Sequence, residues 1–282
     1  MAKSKYSKVT IIGMGLMGGS LGRALLKKKL AKNVTGLGRN MSRLKVAKKK
    51  GAATHVTLDI EEGVKGADIV VISLPVMLIP SMFVQIQPFL DKKTIVTDMG
   101  SVKASIVETI KLFDRNRCFV GSHPMVGSEK TGIYNIKERL YEGGVCIVAG
   151  GNKKKASKIA AFWKKAGMKV IPMAPSKHDK LISGVSHFPH LLSFMLINTQ
   201  AGTINKNRSA IGPGFMDATR IAASGEDIWA EIMIANKKEV INNIKTAREE
   251  LLKIKKMIAF NKMKGIKEYI RKARILRESL EK

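Results

Sequence analysis

Three glycines, Gly13, Gly15 and Gly18, follow the β-branched run Val9-Thr10-Ile11-Ile12 at G-x-G-x-x-G spacing. Small and apolar residues at helical spacing come next, among them Leu16, Met17, Leu21 and Leu25. The order spells strand, tight turn and helix, the context in which such glycines bind a dinucleotide. Gly13 would permit the turn, Gly15 would let the backbone approach a pyrophosphate, and Gly18 would let the helix pack closely on the strand. The phosphates would lie at the positive helix N-terminus, beside Leu16 and Met17. The competing reading is a glycine-rich turn without a ligand.

Other chemistry-bearing residues stand where strands should end. Apolar runs close with Ser73-Leu74-Pro75, with Met99-Gly100-Ser101-Val102-Lys103 and with Gly121-Ser122-His123-Pro124. Ligands of open α/β sheets bind beyond the carboxyl ends of the strands, so Ser101 and His123 should converge there beside the cofactor. A strand-end histidine before proline is also a common turn residue. Further on, His187 and His190 flank Pro189 and could share a helix face. No third ligand stands at metal spacing, so no metal site is expected. Trp229 alone reads as core, and His55 and His178 match no motif.

The elements that must position these groups are legible from periodicity. Strands are expected at Asn33–Leu37, near His55–Thr57, within Asp68–Pro75, at Thr94–Asp98, at Cys118–Val120, at Gly144–Ala149 and at Met168–Met173. Helices are expected at Met41–Lys50 and Lys153–Ala166, with a crossover through Asp59–Lys65. The near-continuous apolar strands indicate a mainly parallel, doubly covered sheet. Beyond Pro175 the pattern turns helical: Lys177–Thr199, Ala210–Ser224, Asp227–Phe260 and Met263–Glu281. The expected fold is α/β, a Rossmann-type dinucleotide-binding domain over residues 1–175 followed by an all-helical substrate and dimerisation domain over 176–282.

At the end of the second strand, where NAD-binding folds usually carry a carboxylate for the ribose hydroxyls, the chain has Gly38 followed by Arg39. A missing carboxylate and an adjacent guanidinium favour the 2′-phosphate of NADP, with Ser42 and Arg43 able to join; NAD remains possible.

The formal charge of +29 over 282 residues invites a nucleic-acid reading. The lysines, however, are spread along the chain without interleaved aromatics, as at Lys27-Lys28-Lys29, Lys48-Lys49-Lys50 and Lys153-Lys154-Lys155. A solvated basic surface that steers anionic ligands is expected, and no nucleic acid. No apolar stretch is expected to span a membrane. Cys118 and Cys146 lie in apolar runs and read as reduced, buried thiols of a cytoplasmic protein.

Three clusters beyond the glycine loop, Gly100-Ser101-Val102-Lys103, Ser122-His123-Pro124-Met125-Val126-Gly127-Ser128-Glu129, and Val185-Ser186-His187-Phe188-Pro189-His190 with Asp217-Ala218-Thr219-Arg220 and Trp229, together resemble the prephenate and arogenate dehydrogenases of tyrosine biosynthesis. The resemblance extends over nearly the full length. It implies hydride removal from the ring carbon bearing the hydroxyl as the ring carboxylate leaves as carbon dioxide. It places the catalytic histidine on His123, with Ser101 hydrogen-bonding both that histidine and the ring hydroxyl. It places substrate binding on His187, on Arg220, whose planar fork suits a carboxylate, and on Trp229 near that arginine. Glu129 would face the substrate side chain. Prephenate is the expected substrate and arogenate the alternative. A homodimer through the helical domain is implied. A fused chorismate mutase or C-terminal ACT domain has no room in this length, so feedback through one is not expected. A small-acid dehydrogenase of the β-hydroxyacid type would need a catalytic lysine on the first interdomain helix, and it has no clear counterpart near His187. A cofactor sensor would need only the glycine loop, and a nucleic-acid binder would be marked by salt-sensitive retention on DNA.

Overall fold

The computed structural model describes residues 5–127 and 132–281. They divide into two compact units, 1–236 and 237–282.

In the first unit, β1 (Tyr6–Ile12) leads through the glycine turn into α1 (Leu16–Lys27). Then follow β2 (Ala31–Leu37), α2 (Met41–Lys49), β3 (His55–Thr57), α3 (Ile60–Val64) and β4 (Ile69–Ile72). Next come α4 (Ile79–Ile86), β5 (Ile95–Asp98), α5 (Ala104–Lys111) and β6 (Phe119–Met125). The sheet finishes with β7 (Val145–Ala149), α6 (Lys153–Ala166) and β8 (Lys169–Met173). Starts are set by local chemistry: the Asn40 and Asp59 side chains accept from the amides of Arg43 and Glu62 at 3.0 and 2.7 Å, which caps α2 and α3.

Among the described residues eight strands form one sheet in the order β3-β2-β1-β4-β5-β6-β7-β8. All neighbours are parallel except β6 and β7. The chain reverses its direction of winding between β1 and β4, which opens a crevice at the carboxyl edge. The register aligns that edge: Ile12 pairs with Leu37 and with Ile72, and Ile72 with Asp98. Ser101 and His123 therefore emerge on the same side as the glycine turn. Core clusters cover both faces, one around Leu21, Leu25, Phe162 and Trp163, the other around Ile79, Phe83, Ile86 and Ile106. Several ionisable groups are enclosed with them, including Asp98 and Lys103, both wholly buried.

Helices continue the first unit. Helix α7 (Pro175–Ile182) passes through a wide π turn, Ser183–His187, into α8 (Phe188–Lys206). Helix α9 (Pro213–Thr219) ends in a tight turn over Arg220–Ala223, and α10 (Glu226–Ala235) follows. By packing, α10 goes with the sheet, since Ile232 is buried in the cluster around Ile79 and Phe83. The expected single helix over Asp227–Phe260 is thus broken at Asn236, whose backbone leaves helical geometry at φ −113° and ψ 29°. The Pro175–Lys206 run, contrary to the sequence expectation, is long and apolar enough by composition to cross a membrane. It also carries buried His178, Asp179 and His187.

The second unit is a hairpin of α11 (Lys237–Ala259) and α12 (Met263–Ser279), turned by Asn261 at φ +50°. It leaves Leu251, Ile258, Phe260, Ile270 and Leu276 exposed.

Candidate active site

The glycine turn is built as its spacing requires. Gly13 has φ +94°, and a Cβ there would strike the carbonyl oxygen of Ser73; a Cβ on Gly18 would strike the carbonyl of Gly13. Gly15 differs, with nothing within 4 Å of where its Cβ would be. It borders a cleft of about 1050 Å³ lined also by Gly13, Arg39, Arg43, Leu74 and Pro75. Helix α1 starts at this cleft with no side-chain cap and no acidic residue in its first turn. Its leading amides remain available to an anion. Space, open amides and the gap over Gly15 fit a pyrophosphate. Arg39 and Arg43, both exposed, border the cleft at the β2 end, where Gly38 stands in place of a carboxylate. Leu16, Met17, Gly18, Ser42 and Ser73 are adjacent in the chain but do not line it.

Beyond the cleft, the β5 end is locked by a buried carboxylate. Asp98 accepts from the Ser122 amide at 2.9 Å and the Gly100 amide at 2.8 Å, and pairs with the Lys103 ammonium. One side chain so ties the loop carrying Ser101 to the strand carrying His123. The Ser122 hydroxyl donates to the Asp98 carbonyl at 2.5 Å and accepts from the Trp163 indole at 3.0 Å, which fixes β6 from its other side.

His123 is partly exposed, and its Nδ1 lies 2.9 Å from Nε2 of His178 on α7. Nδ1 of His178 is 2.7 Å from the Asp179 carboxylate, which also accepts from the backbone amides of Lys103 and Ala104 at 2.7 and 2.8 Å. Asp179 therefore caps α5 while touching His178. Burial pushes the His123 imidazole well below the ordinary histidine value, and nearby His178, Lys103 and His187 push the same way. The imidazole is neutral at neutral pH. Among the described residues no hydrogen bond joins Ser101 to His123; Nδ1 of His123 is held instead by His178, a residue that stands in no motif. The signal was present only as the dipeptide His178-Asp179, uninformative until α7 is placed against α5.

His187 is wholly buried. The Asn236 amide nitrogen bridges the Asp179 carbonyl at 2.9 Å and Nδ1 of His187 at 3.1 Å, while Nε2 of His187 has no hydrogen-bond partner among the described residues. Burial lowers the His187 pKa to about 4, so the ring is neutral and Nε2 is an unused donor. The Trp229 ring lies 6.1 Å from His187 edge-on and stacks on His190 at 3.5 Å. His190 is anchored through Nδ1 to the Ser186 carbonyl at 2.9 Å. Its pKa is lowered, first by burial and then by the Arg220 charge, which puts that guanidinium within electrostatic reach. Arg220 is exposed and has no ion pair among the described residues. The structure thus gathers His123, His187 and Trp229, with Arg220 near His190, and adds His178, Asp179, Lys103, Asp98 and Asn236. Glu129 lies outside the described residues. No group of three metal-ligating side chains occurs among them. Both cysteines are free and buried, and burial raises the Cys118 thiol to about 12, so neither is a nucleophile.

Comparison with known proteins agrees with this geometry. Residues 21–172 match the prephenate dehydrogenase nucleotide-binding domain, and residues 174–272 its dimerization domain. The chain is 30% identical to cyclohexadienyl dehydrogenase of Zymomonas mobilis over 90% of this chain and 89% of that protein. It is 28% identical to prephenate dehydrogenase of Bacillus subtilis, over 96% and 76% respectively. The fold superposes on the A. aeolicus prephenate dehydrogenase crystallised with hydroxyphenyl propionate and NAD+, with a TM-score of 0.91 at 29% identity, covering 97% of this chain and 98% of that one. The fold, the nucleotide cleft and these similarities lead to one conclusion: the chain belongs to the prephenate dehydrogenase family.

Proposed function

We propose that this protein oxidatively decarboxylates prephenate to 4-hydroxyphenylpyruvate, in tyrosine biosynthesis, with a nicotinamide dinucleotide as hydride acceptor. The observation that carries the reading is a neutral imidazole, His123, at the sheet's carboxyl edge beside a cleft fitted to a dinucleotide, with the unused donor of buried His187 near it. The residues that would hold the cofactor are Gly13 and Gly15, the first turn of α1, Leu74 and Pro75, with Arg39 and Arg43 at the adenosine end. When bound, the nicotinamide accepts the hydride leaving the ring carbon that bears the hydroxyl. Nε2 of His123 takes the hydroxyl proton as that charge departs. The ring carboxylate leaves as carbon dioxide, its bonding electrons complete the aromatic ring, and the proton on His123 is available to the phenolate. Nε2 of His187 donates to a substrate oxygen, and the Arg220 fork grips a carboxylate. Ser101, half-buried on the loop pinned by Asp98, would hydrogen-bond the ring hydroxyl once substrate is bound.

Two finer choices belong to the same reading. Arg39 and Arg43 beside Gly38 favour NADP over NAD, because a guanidinium pair suits a 2′-phosphate and Gly38 stands where a carboxylate would repel it. Prephenate is preferred and arogenate is the second candidate. Residues 1–175 serve the dinucleotide and 176–282 the substrate and a dimer, in which the exposed apolar residues of the α11–α12 hairpin would be covered. Two free buried thiols accord with a reducing cytoplasm. The test is cofactor reduction by the purified protein with prephenate and with arogenate, each against NAD and NADP. Reduction with prephenate supports the reading, and the faster cofactor decides the Arg39 assignment. Reduction with neither substrate would overturn it.

A further inference from the structure

We propose that His178 and Asp179 form a positioning dyad that holds His123 in the single tautomer able to act as a base. The inference rests on His123 being that base and names what makes it competent.

The direction of each hydrogen bond follows from the carboxylate inward. Asp179 accepts three hydrogen bonds: from the Lys103 amide at 2.7 Å, from the Ala104 amide at 2.8 Å and from Nδ1 of His178 at 2.7 Å. Backbone amides can only donate, so the carboxylate oxygens facing them accept, and the oxygen shared with the Lys103 amide accepts from His178 as well. Nδ1 of His178 therefore carries the hydrogen, and its Nε2 presents a lone pair. That lone pair lies 2.9 Å from Nδ1 of His123. A hydrogen bond there requires Nδ1 of His123 to be the donor, which leaves the lone pair of His123 on Nε2. The other tautomer would set two lone pairs against each other across a partly buried contact.

The anchoring is independent of the base. His178 is wholly buried and Asp179 nearly so, with 0% and 3% exposed. Asp179 is fixed from a second side, because its backbone carbonyl accepts from the Asn236 side chain at 2.9 Å. The two imidazoles meet edge to face with centroids 5.1 Å apart, so His123 cannot turn about its Cβ without breaking the contact. When Nε2 of His123 takes a proton, the charge spreads to Nδ1–H, which points at an imidazole polarised by a carboxylate. This is the logic by which an acid–base histidine is oriented by a group that never itself transfers the proton. Among the described residues, the remaining charged group near the base, Lys103, is paired with Asp98, and buried His187 is held by Asn236.

The test uses full-length protein labelled with ¹⁵N in its histidines, together with His178→Phe, which keeps a ring but loses the acceptor, and His178→Gln, whose carbonyl restores one. Two-bond ¹H–¹⁵N correlations report tautomers directly. Expected is an Nδ1–H tautomer for His123 in the parent protein, lost in His178→Phe. The kcat for prephenate should fall about 100-fold or more in that variant, within the range of general-base contributions, with KM changed less than about threefold. His178→Gln should recover a substantial part of kcat. An Nε2–H tautomer for His123 in the parent protein would overturn the proposal even if His178→Phe fails to fold. So would a kcat unmoved by His178→Phe, or a His178→Gln variant as slow as the Phe one. Failure of the parent protein to oxidise either substrate would instead remove the functional reading, while the spectra would still judge the dyad.

Discussion

The side-chain nitrogen of Asn236 lies 3.1 Å from Nδ1 of His187 and 2.9 Å from the carbonyl oxygen of Asp179. A carbonyl can only accept, so the atom facing it is the amide nitrogen, and its second hydrogen points at Nδ1 of His187. His187 then carries its own hydrogen on Nε2, the buried atom without a partner among the described residues. Asn236→Asp replaces this donor by an acceptor and favours the opposite His187 tautomer. The expected outcome is a KM for prephenate raised about 10- to 100-fold, the size of losing one buried hydrogen bond to a charged group, with kcat less affected. Steady-state kinetics check it.

Removing the proposed base should separate chemistry from binding. His123→Asn is expected to lower kcat by about 100-fold or more while leaving the dissociation constant of the dinucleotide nearly unchanged, because His123 does not line the nucleotide cleft. Arg220→Ala should act chiefly on KM, since the guanidinium has no partner among the described residues whose loss would disturb the fold. Kinetics with a parallel fluorescence titration of the cofactor distinguish the two.

Arg39→Ala should shift cofactor preference toward NAD. Losing one exposed guanidinium facing a phosphate is expected to weaken NADP about tenfold, on the order of one charge-assisted hydrogen bond, with NAD affinity little changed. The ratio of the two kcat/KM values measures it, and an unchanged ratio would mean that Arg39 is a surface arginine only.

The two glycines of the turn should respond differently to alanine. A Cβ on Gly15 meets nothing within 4 Å among the described residues, so Gly15→Ala should alter the unfolding midpoint little while weakening cofactor binding. At Gly13 a Cβ strikes the Ser73 carbonyl in a backbone conformation with φ +94°. Gly13→Ala should therefore destabilise the protein itself, by about 2 kcal/mol or more. Urea unfolding and cofactor titration of both variants provide the comparison.

The neutral buried histidines give stability a definite pH dependence. His187 titrates near 6.5 when unfolded and at about 4 when folded, and His123 is displaced in the same direction, in both cases first by burial. The unfolded chain thus binds more protons across that window, so stability is highest above pH 6.5 and falls as pH drops toward 4. For His187 the loss is on the order of 3 kcal/mol over the window. Urea midpoints at pH 7.5, 6 and 5 should decline accordingly, and His187→Asn should flatten the slope.

Much of this was legible in the chain itself. The G-x-G-x-x-G spacing after a β-branched run dictates strand, turn and helix through short-range sterics, and the apolar runs mark parallel strands whose ends must share one edge. His123, His187 and Arg220 stand in local motifs that carry their neighbours with them. The break at Asn236 was not legible, because helical periodicity runs through it on both sides and its side chain is committed to Asp179, 57 residues away. Nor was the partner of His123, since His178 lies 55 residues further along and acquires meaning only when α7 docks on the first turn of α5. Residue types and spacing are properties of neighbours along the chain, so sequence alone determined the turn, the strands and the candidate base. Which ring nitrogen holds a proton is set by the atom across from it in space, and that the tertiary structure alone decided.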